Sequence, residues 1–195
     1  MAKGGSFENE VCKVLSLWIS QSERDDIFRR SVSSGAQFTQ RRKSNKDTAY
    51  QGADITFADP IGEPLIKKWS IECKTGYGGK SKKTIKGTDV SYIEEKRWDV
   101  LDFLDSKQKE PTLQKMWNQC KRDAELTLRR PVLIFRRNHR EKCVVVEQSY
   151  FIFLRDYFGK EPNRLQISLK HDVLCVFSLE DFLNWAEDIS CILYT

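Results

Sequence analysis

The stretch QGADITFADPIGEPLIKKWSIECKTG, residues 51–76, decides how this chain is read. Its apolar run Trp69-Ser70-Ile71 ends by presenting Glu72 and Lys74. Side chains alternate across a strand, so Glu72 and Lys74 share one face while Ile71 and Cys73 take the other and point to the core. The spacing predicts strands at about Asp54 to Phe57 and Leu65 to Thr75. The residues between them, with Asp59-Pro60 and Gly62-Glu63-Pro64, supply turn chemistry for a hairpin. In that hairpin Asp54 opens the partner strand, and cross-strand neighbours bring its carboxylate toward that of Glu72.

Carboxylates brought together raise each other's pKa unless a cation relieves them. A divalent metal does so. Magnesium takes oxygen ligands, keeps several waters and is held by one or two carboxylates plus substrate phosphate, which suits Asp54 and Glu72, with Glu8 nearby or bound through water. Lys74 then orients the attacking water, or deprotonates it if the metal lowers the lysine's pKa. The bland alternative is an ordinary solvent-facing Glu-Lys pair on an edge strand. What lifts the functional reading is the order: an inward glutamate on a first helix, an aspartate opening a strand, a turn, Glu-x-Lys ending an apolar strand, and a basic loop.

Before this stretch, Phe7, Val11, Val14, Leu15, Trp18 and Ile19 recur at helical spacing and predict an amphipathic helix over residues 7–20, with Ser6 as its N-cap. On a helical wheel Glu8 falls inside the apolar arc and Glu10 at its margin. Residues 29–51 read as a short strand and an exposed basic loop, and Gly76 to Lys83 as a mobile basic loop. After an ambiguous passage from Asp89 to Lys109, Leu113, Met116, Trp117, Cys120, Ala124 and Leu128 mark a second helix. Pro131 to Phe135 fits a strand buried on both faces, Cys143 to Val146 another, and Val173 to Phe177 a third. A last helix spans about Leu179 to Ile189, capped by Ser178.

The 195 residues carry a formal charge of +5, with Lys and Arg gathered around Arg29–Lys46, Lys67–Lys86 and Arg129–Lys142. A polyanion is the natural partner for such fields, against a plain solubilising surface as the alternative. The six cysteines form no Cys-x-x-Cys pair and read as reduced core residues, and the two histidines as incidental surface groups. No signal peptide or membrane-length run is present, so the chain reads as non-membrane and cytoplasmic, associated with the nucleoid if it binds DNA. Phosphate-loop, His-Glu-x-x-His and dinucleotide fingerprints are missing.

The segments GGSFENEVCKVL, SSGAQ, GADITF and SIECKTG resemble the PD-(D/E)xK nuclease superfamily, and within it the Holliday-junction resolvases of archaea and some phages. The resemblance covers roughly residues 4–138. It implies an α/β, restriction-endonuclease-like core, with a central mixed β-sheet flanked by helices and magnesium or manganese as cofactor. It assigns metal ligation to Asp54 and Glu72, catalytic support to Lys74 and an assisting acidic role to Glu8. Ser34 is similar to a serine that resolvases place near the scissile phosphate. The helix LQKMWNQCKRDAEL resembles one whose polar residue faces the site; Gln119 and Lys121 are the candidates, the surface reading being favoured for Gln119. Ala53 stands where the family motif has proline. Arg41, Arg42, Lys43, Lys80, Lys82, Lys83 and Lys121 are the DNA contacts expected with Ser34. The chain is expected to divide into a nuclease core over residues 1–143 and a C-terminal α/β extension over 144–195 packed on that core. The implied function is a metal-dependent endonuclease on branched DNA, acting as a homodimer. A restriction- or repair-type nuclease on duplex, nicked or single-stranded DNA, and a non-catalytic DNA-binding protein, are the alternatives.

Overall fold

The computed structural model describes residues 3–31, 52–77, 80–84, 91–95, 103–104, 110–187 and 192. The chain is an α/β protein built on a mixed sheet of five strands: β3 (Trp69–Tyr77), β6 (Arg130–Arg137), β7 (Lys142–Glu147), β9 (Val173–Ser178) and β8 (Leu165–Ser168), in that spatial order. β3 and β6 run parallel and the remaining neighbours antiparallel. A parallel pair needs a crossover connection. Here it contains the helix α3 (Thr112–Leu126), which packs back on β3 and β6.

Alternation along the strands feeds a separate apolar cluster on each face of the sheet. Ile71, Cys73, Val132, Ile134, Val144, Val146, Cys175 and Phe177 point to one side. That side is covered by helices α1 (Lys3–Ile19), α4 (Gln148–Phe158) and α5 (Leu179–Trp185). Leu133, Phe135, Val145, Leu174 and Val176 point to the other, under Leu113, Met116, Trp117 and Cys120 of α3. β6 is therefore buried on both faces, as its unbroken apolar run predicts. Trp69 anchors the larger cluster: its ring stacks on Trp18 with centroids 6.1 Å apart, and its indole N–H donates to the Tyr150 hydroxyl at 2.8 Å. Among the described residues no helix is long and apolar enough to cross a membrane.

Several sequence expectations need correction. α1 begins at Lys3, so Ser6 lies inside the helix and does not cap it. The expected hairpin of strands 54–57 and 65–75 does not form. Strand β2 (Ile55–Phe57) pairs antiparallel with β1 (Phe28–Arg30) instead. Leu65 belongs to a short helix, α2 (Glu63–Lys68), preceded by a 3-10 turn at Pro60–Gly62. The cause is local. Asp59 accepts a hydrogen bond from the Ile61 backbone N–H at 3.0 Å, and Pro64, with its fixed φ and no N–H to lose, suits a first helical turn. Position 62 takes glycine because an added Cβ would stand 2.7 Å from the Phe28 ring.

The expected mobile loop over residues 76–83 is also overturned, because β3 runs on to Tyr77 and Lys80–Thr84 forms a strand, β4. β4 pairs antiparallel with β5 (Ser91–Glu95), so Lys80, Lys82 and Lys83 are strand residues opposite Glu95, Ile93 and Tyr92. Gly76, at φ 87°, accommodates the register shift between Thr75 and Tyr77. Residues 144–195 supply β9 and β8 to the same sheet, and β7 runs across positions 143 and 144.

Candidate functional site

β3 is an edge strand of the main sheet, and the site is assembled along it. Asp54, just ahead of β2, is fastened to that edge twice. Its backbone N–H donates to the Ile71 carbonyl at 3.1 Å, and its carboxylate Oδ2 accepts from the Cys73 backbone N–H at 2.8 Å. Its own carbonyl accepts from the Ser31 N–H at 2.8 Å, which ties the end of β1 into the same junction. Asp54 thus reaches β3 through backbone hydrogen bonds, not through the cross-strand pairing read from the sequence.

Glu72 and Lys74 share one face of β3 and form an ion pair through Glu72 Oε1. That face lies under α3, not in open solvent. Glu72 is 5% exposed and also accepts from Gln119 Nε2 at 2.8 Å. The favoured surface reading of Gln119 is therefore wrong: α3 packs on β3, and one helical turn brings its amide over the carboxylate. Lys121, the other candidate on this helix, points elsewhere. It pairs with Asp172 and, at 3.7 Å, with Glu147.

Glu8 is half-buried, as the helical wheel indicates, but the cation it meets is Arg30 of β1. Gly5 makes room for that guanidinium, whose Nη1 would lie 2.7 Å from an added Cβ. Glu10, two residues on and on a different side of the helix, binds Arg136 at 2.7 Å and Lys142 at 2.8 Å. Arg129 is buried, donating to the carbonyls of Ile66 at 3.1 Å and Trp69 at 3.3 Å. Part of the third basic cluster is thus committed to holding the fold together.

Burial and crowding set the electrostatics. Burial, and then the neighbouring Asp54 charge, push the Glu72 carboxyl up to about 7, with the Lys74 ammonium working against them. Asp54 is raised in the same direction by burial and by Glu8 and Asp123; the Cys73 N–H and Lys74 oppose the rise. The Cys73 thiol, buried beside these acids, is pushed far above its ordinary range and is inert.

Asp123 is a member of this group that sequence reasoning missed. It lies on α3 one turn beyond Gln119, close enough for its charge to act on Asp54 and Glu72. A signal for it exists: an acid three residues after Cys120 and seven after Met116 falls within the apolar stripe of the helix. Arg30 is the second omission, and nothing in its surroundings in the sequence marks it as the partner of Glu8.

Asp54, Glu72 and Lys74 are thus brought together; Glu8 reaches the group electrostatically but is held by Arg30. Ser34, Arg41, Arg42 and Lys43 lie outside the described residues. Among the described residues, no three His, Cys, Asp or Glu side chains stand together in an arrangement that holds a metal ion. Asp54 and Glu72 still fit a hard divalent cation as a donor pair. Both offer only oxygen, and both are burdened by neighbouring negative charge, Glu72 by Asp54 and Asp54 by Glu8 and Asp123, which such a cation would relieve. Fold and site together define an α/β protein with a paired-carboxylate and lysine cluster at one sheet edge. Comparison with family models, curated proteins and solved structures finds no match.

Proposed function

We propose that this protein is a metal-dependent DNA endonuclease of the PD-(D/E)xK type, with a restriction-endonuclease-like core, acting on branched DNA. The observation that carries the reading is the joint placement of Asp54, Glu72 and Lys74 on one rigid strand edge, with Glu72 kept costly to ionise in the absence of a cation. Asp54 and Glu72 would hold magnesium, or manganese in its place. A bound divalent cation supplies charge that offsets the negative charge building on phosphate and lowers the pKa of water. Asp54 keeps one oxygen on the Cys73 N–H, which fixes its orientation. Lys74, once released from Glu72, orients the attacking water or a phosphate oxygen through its ammonium. Water then adds to phosphorus as the P–O bond to the leaving strand end breaks, and that oxygen is protonated.

The test is Asp54→Ala on purified protein with a synthetic four-way junction. Junction binding persists, and magnesium-supported cutting disappears; undiminished cutting removes the assignment. Branch preference is read by comparing the junction with a flap, a linear duplex and single-stranded DNA, equal cutting of all four pointing to a general repair or restriction role. A homodimer would place two sites on two strands, giving paired symmetrical cuts.

One observation favours a second reading, that of a non-catalytic DNA-binding protein. Glu8 and Glu72 already have cations of the chain itself, Arg30 and Lys74, beside them. Calorimetry that detects no magnesium or manganese binding, with or without DNA, selects this alternative.

A further inference from the structure

We infer that the turn joining β6 to β7 holds the DNA backbone beside the site proposed above: Arg137 and Arg140 bind the phosphates that flank the one being cut. The inference rests on that reading of the site.

The sheet brings this turn to the site. β3 and β6 are parallel, so both strands end on the same side of the sheet, and the chain leaves β6 there into a turn at Asn138–Arg140. Lys74 stands opposite Phe135 in the β3–β6 register, and Tyr77 opposite Arg137. Leu133 and Phe135 face α3, as Glu72 does where it meets Gln119. Alternation therefore turns Arg137 to the face that carries Glu72 and Lys74. Two residues of strand rise and one strand spacing separate its Cα from that of Lys74, about 8 Å in all. That matches the step from one phosphate to the next along a nucleic-acid strand.

The turn then sets Arg140. Its backbone N–H donates to the Arg137 carbonyl at 3.2 Å. This closes a four-residue turn, which keeps the two Cα atoms within about 7 Å of each other. His139 takes the left-handed conformation inside that reversal, at φ 59°. The base of the hairpin is locked from α1. Glu10 binds Arg136 at 2.7 Å and Lys142 at 2.8 Å, two residues opposite each other in the β6–β7 register, and the Arg136 guanidinium lies 4.8 Å from the centre of the Phe7 ring. Arg136 and Lys142 are thus occupied. Arg137 and Arg140 are left to set the charge of the tip, where Glu141 is the one acid of the segment Arg136–Lys142. Arg140 is exposed and Arg137 half-buried. Arg137 also interacts within the protein, and its five N–H donors let one guanidinium hold such a neighbour and a phosphate together. The planar fork of arginine donates to two phosphate oxygens at once.

The experiment uses the full chain with Arg137→Gln, Arg140→Gln and the two combined, and with Lys170→Gln as a charge-matched control. Lys170 is exposed and lies between β8 and β9, at the opposite end of the sheet from the β6–β7 turn. Thermal midpoints equal to that of the parent show that the variants fold. Binding of a labelled four-way junction is measured in EDTA, so that nothing is cut, over a series of salt concentrations. Each arginine change weakens binding by about three- to tenfold and lowers the slope of log affinity against log salt by about 0.9, and the double change by about twice that. Lys170→Gln leaves affinity and slope as they are. No junction binding by the parent, an unaltered slope in the double variant, or an equal loss from Lys170→Gln overturns the inference.

A second readout tests the placement. The cut is mapped with magnesium, and the phosphates beside it are replaced one at a time by neutral methylphosphonates. At one of these positions the parent loses affinity by about three- to tenfold, while Arg137→Gln, already without that contact, loses nothing further. The same losses in both proteins at every flanking position overturn the assignment of Arg137. A parent that binds the junction with the expected slopes but never cuts it sinks the nuclease reading and leaves the turn as a DNA contact. Cutting by the parent together with an unaltered slope in the double variant sinks the inference alone.

Discussion

Glu72 is the side chain on which the site depends, because the fold holds a carboxylate where ionising it is unfavourable. The unfolded chain ionises it near the ordinary value of 4.5, and the fold delays this to about 7. The folded state therefore keeps a proton that the unfolded state has lost in that window. This contribution to stability is complete below the lower value and is lost as pH rises through the upper one. For the metal-free protein, Glu72→Gln removes that part of the slope and raises stability by about 1 kcal/mol near pH 8, measured by thermal or urea unfolding. A variant as unstable as, or less stable than, the parent at that pH contradicts the account. Glu72 and Lys74 were legible because a strand's period of two is strict. Gln119 was a candidate whose surface reading was favoured, because a helix that contacts a strand nearly fifty positions away in the chain leaves little local trace of which polar residue faces it.

The element that orients the edge is α1, and Ser16 fastens it. Ser16 is fully buried; its hydroxyl donates to the Cys12 carbonyl at 2.7 Å and accepts from the Phe28 N–H at 3.0 Å. That second bond ties the helix to β1, whose neighbour β2 is led into by Asp54. Ser16→Ala leaves the Phe28 N–H unsatisfied away from water, costing about 1–3 kcal/mol in chemical unfolding. A loss below a few tenths would mean that the N–H finds water. The element types along most of the chain followed from apolar spacing, with α1, α3 and β6 close to where periodicity puts them. α2 did not, since Leu65 and Ile66 run on into Trp69 without an apolar/polar break, and only Pro64 and the Asp59 turn mark a helix before the strand.

For the molecule as a whole, the sheet is continuous from β3 to β8, so the C-terminal segment is half of the structure that supports the site. β6 has β7 as its second neighbour, and Val144, Val146, Cys175 and Phe177 complete the cluster into which Ile71 and Cys73 pack. A chain ended at residue 143 therefore loses its cooperative thermal transition and most of its native near-ultraviolet circular dichroism. A truncated protein that unfolds cooperatively would establish residues 1–143 as a self-sufficient domain. Charge behaves in the same collective way. Arg136 and Lys142 are drawn to Glu10, and Arg129 to backbone carbonyls, so a basic run in the sequence is not by itself a free anion-binding surface.

Read along the chain, the order of residues was enough to place most helices and strands, to put Glu72 and Lys74 on one face, to turn Glu8 inward and to bury β6 on both sides. Each of these follows from a backbone period acting over a few neighbouring residues. Long-range packing settled the rest: that Asp54 meets β3 through the Cys73 N–H, that Arg30 claims Glu8, that Lys121 turns to Asp172, and that α3 lowers Gln119 and Asp123 onto the pair. Such pairings depend on which elements become neighbours in space and on which cation reaches a half-buried carboxylate at least cost, and neither is encoded in local spacing.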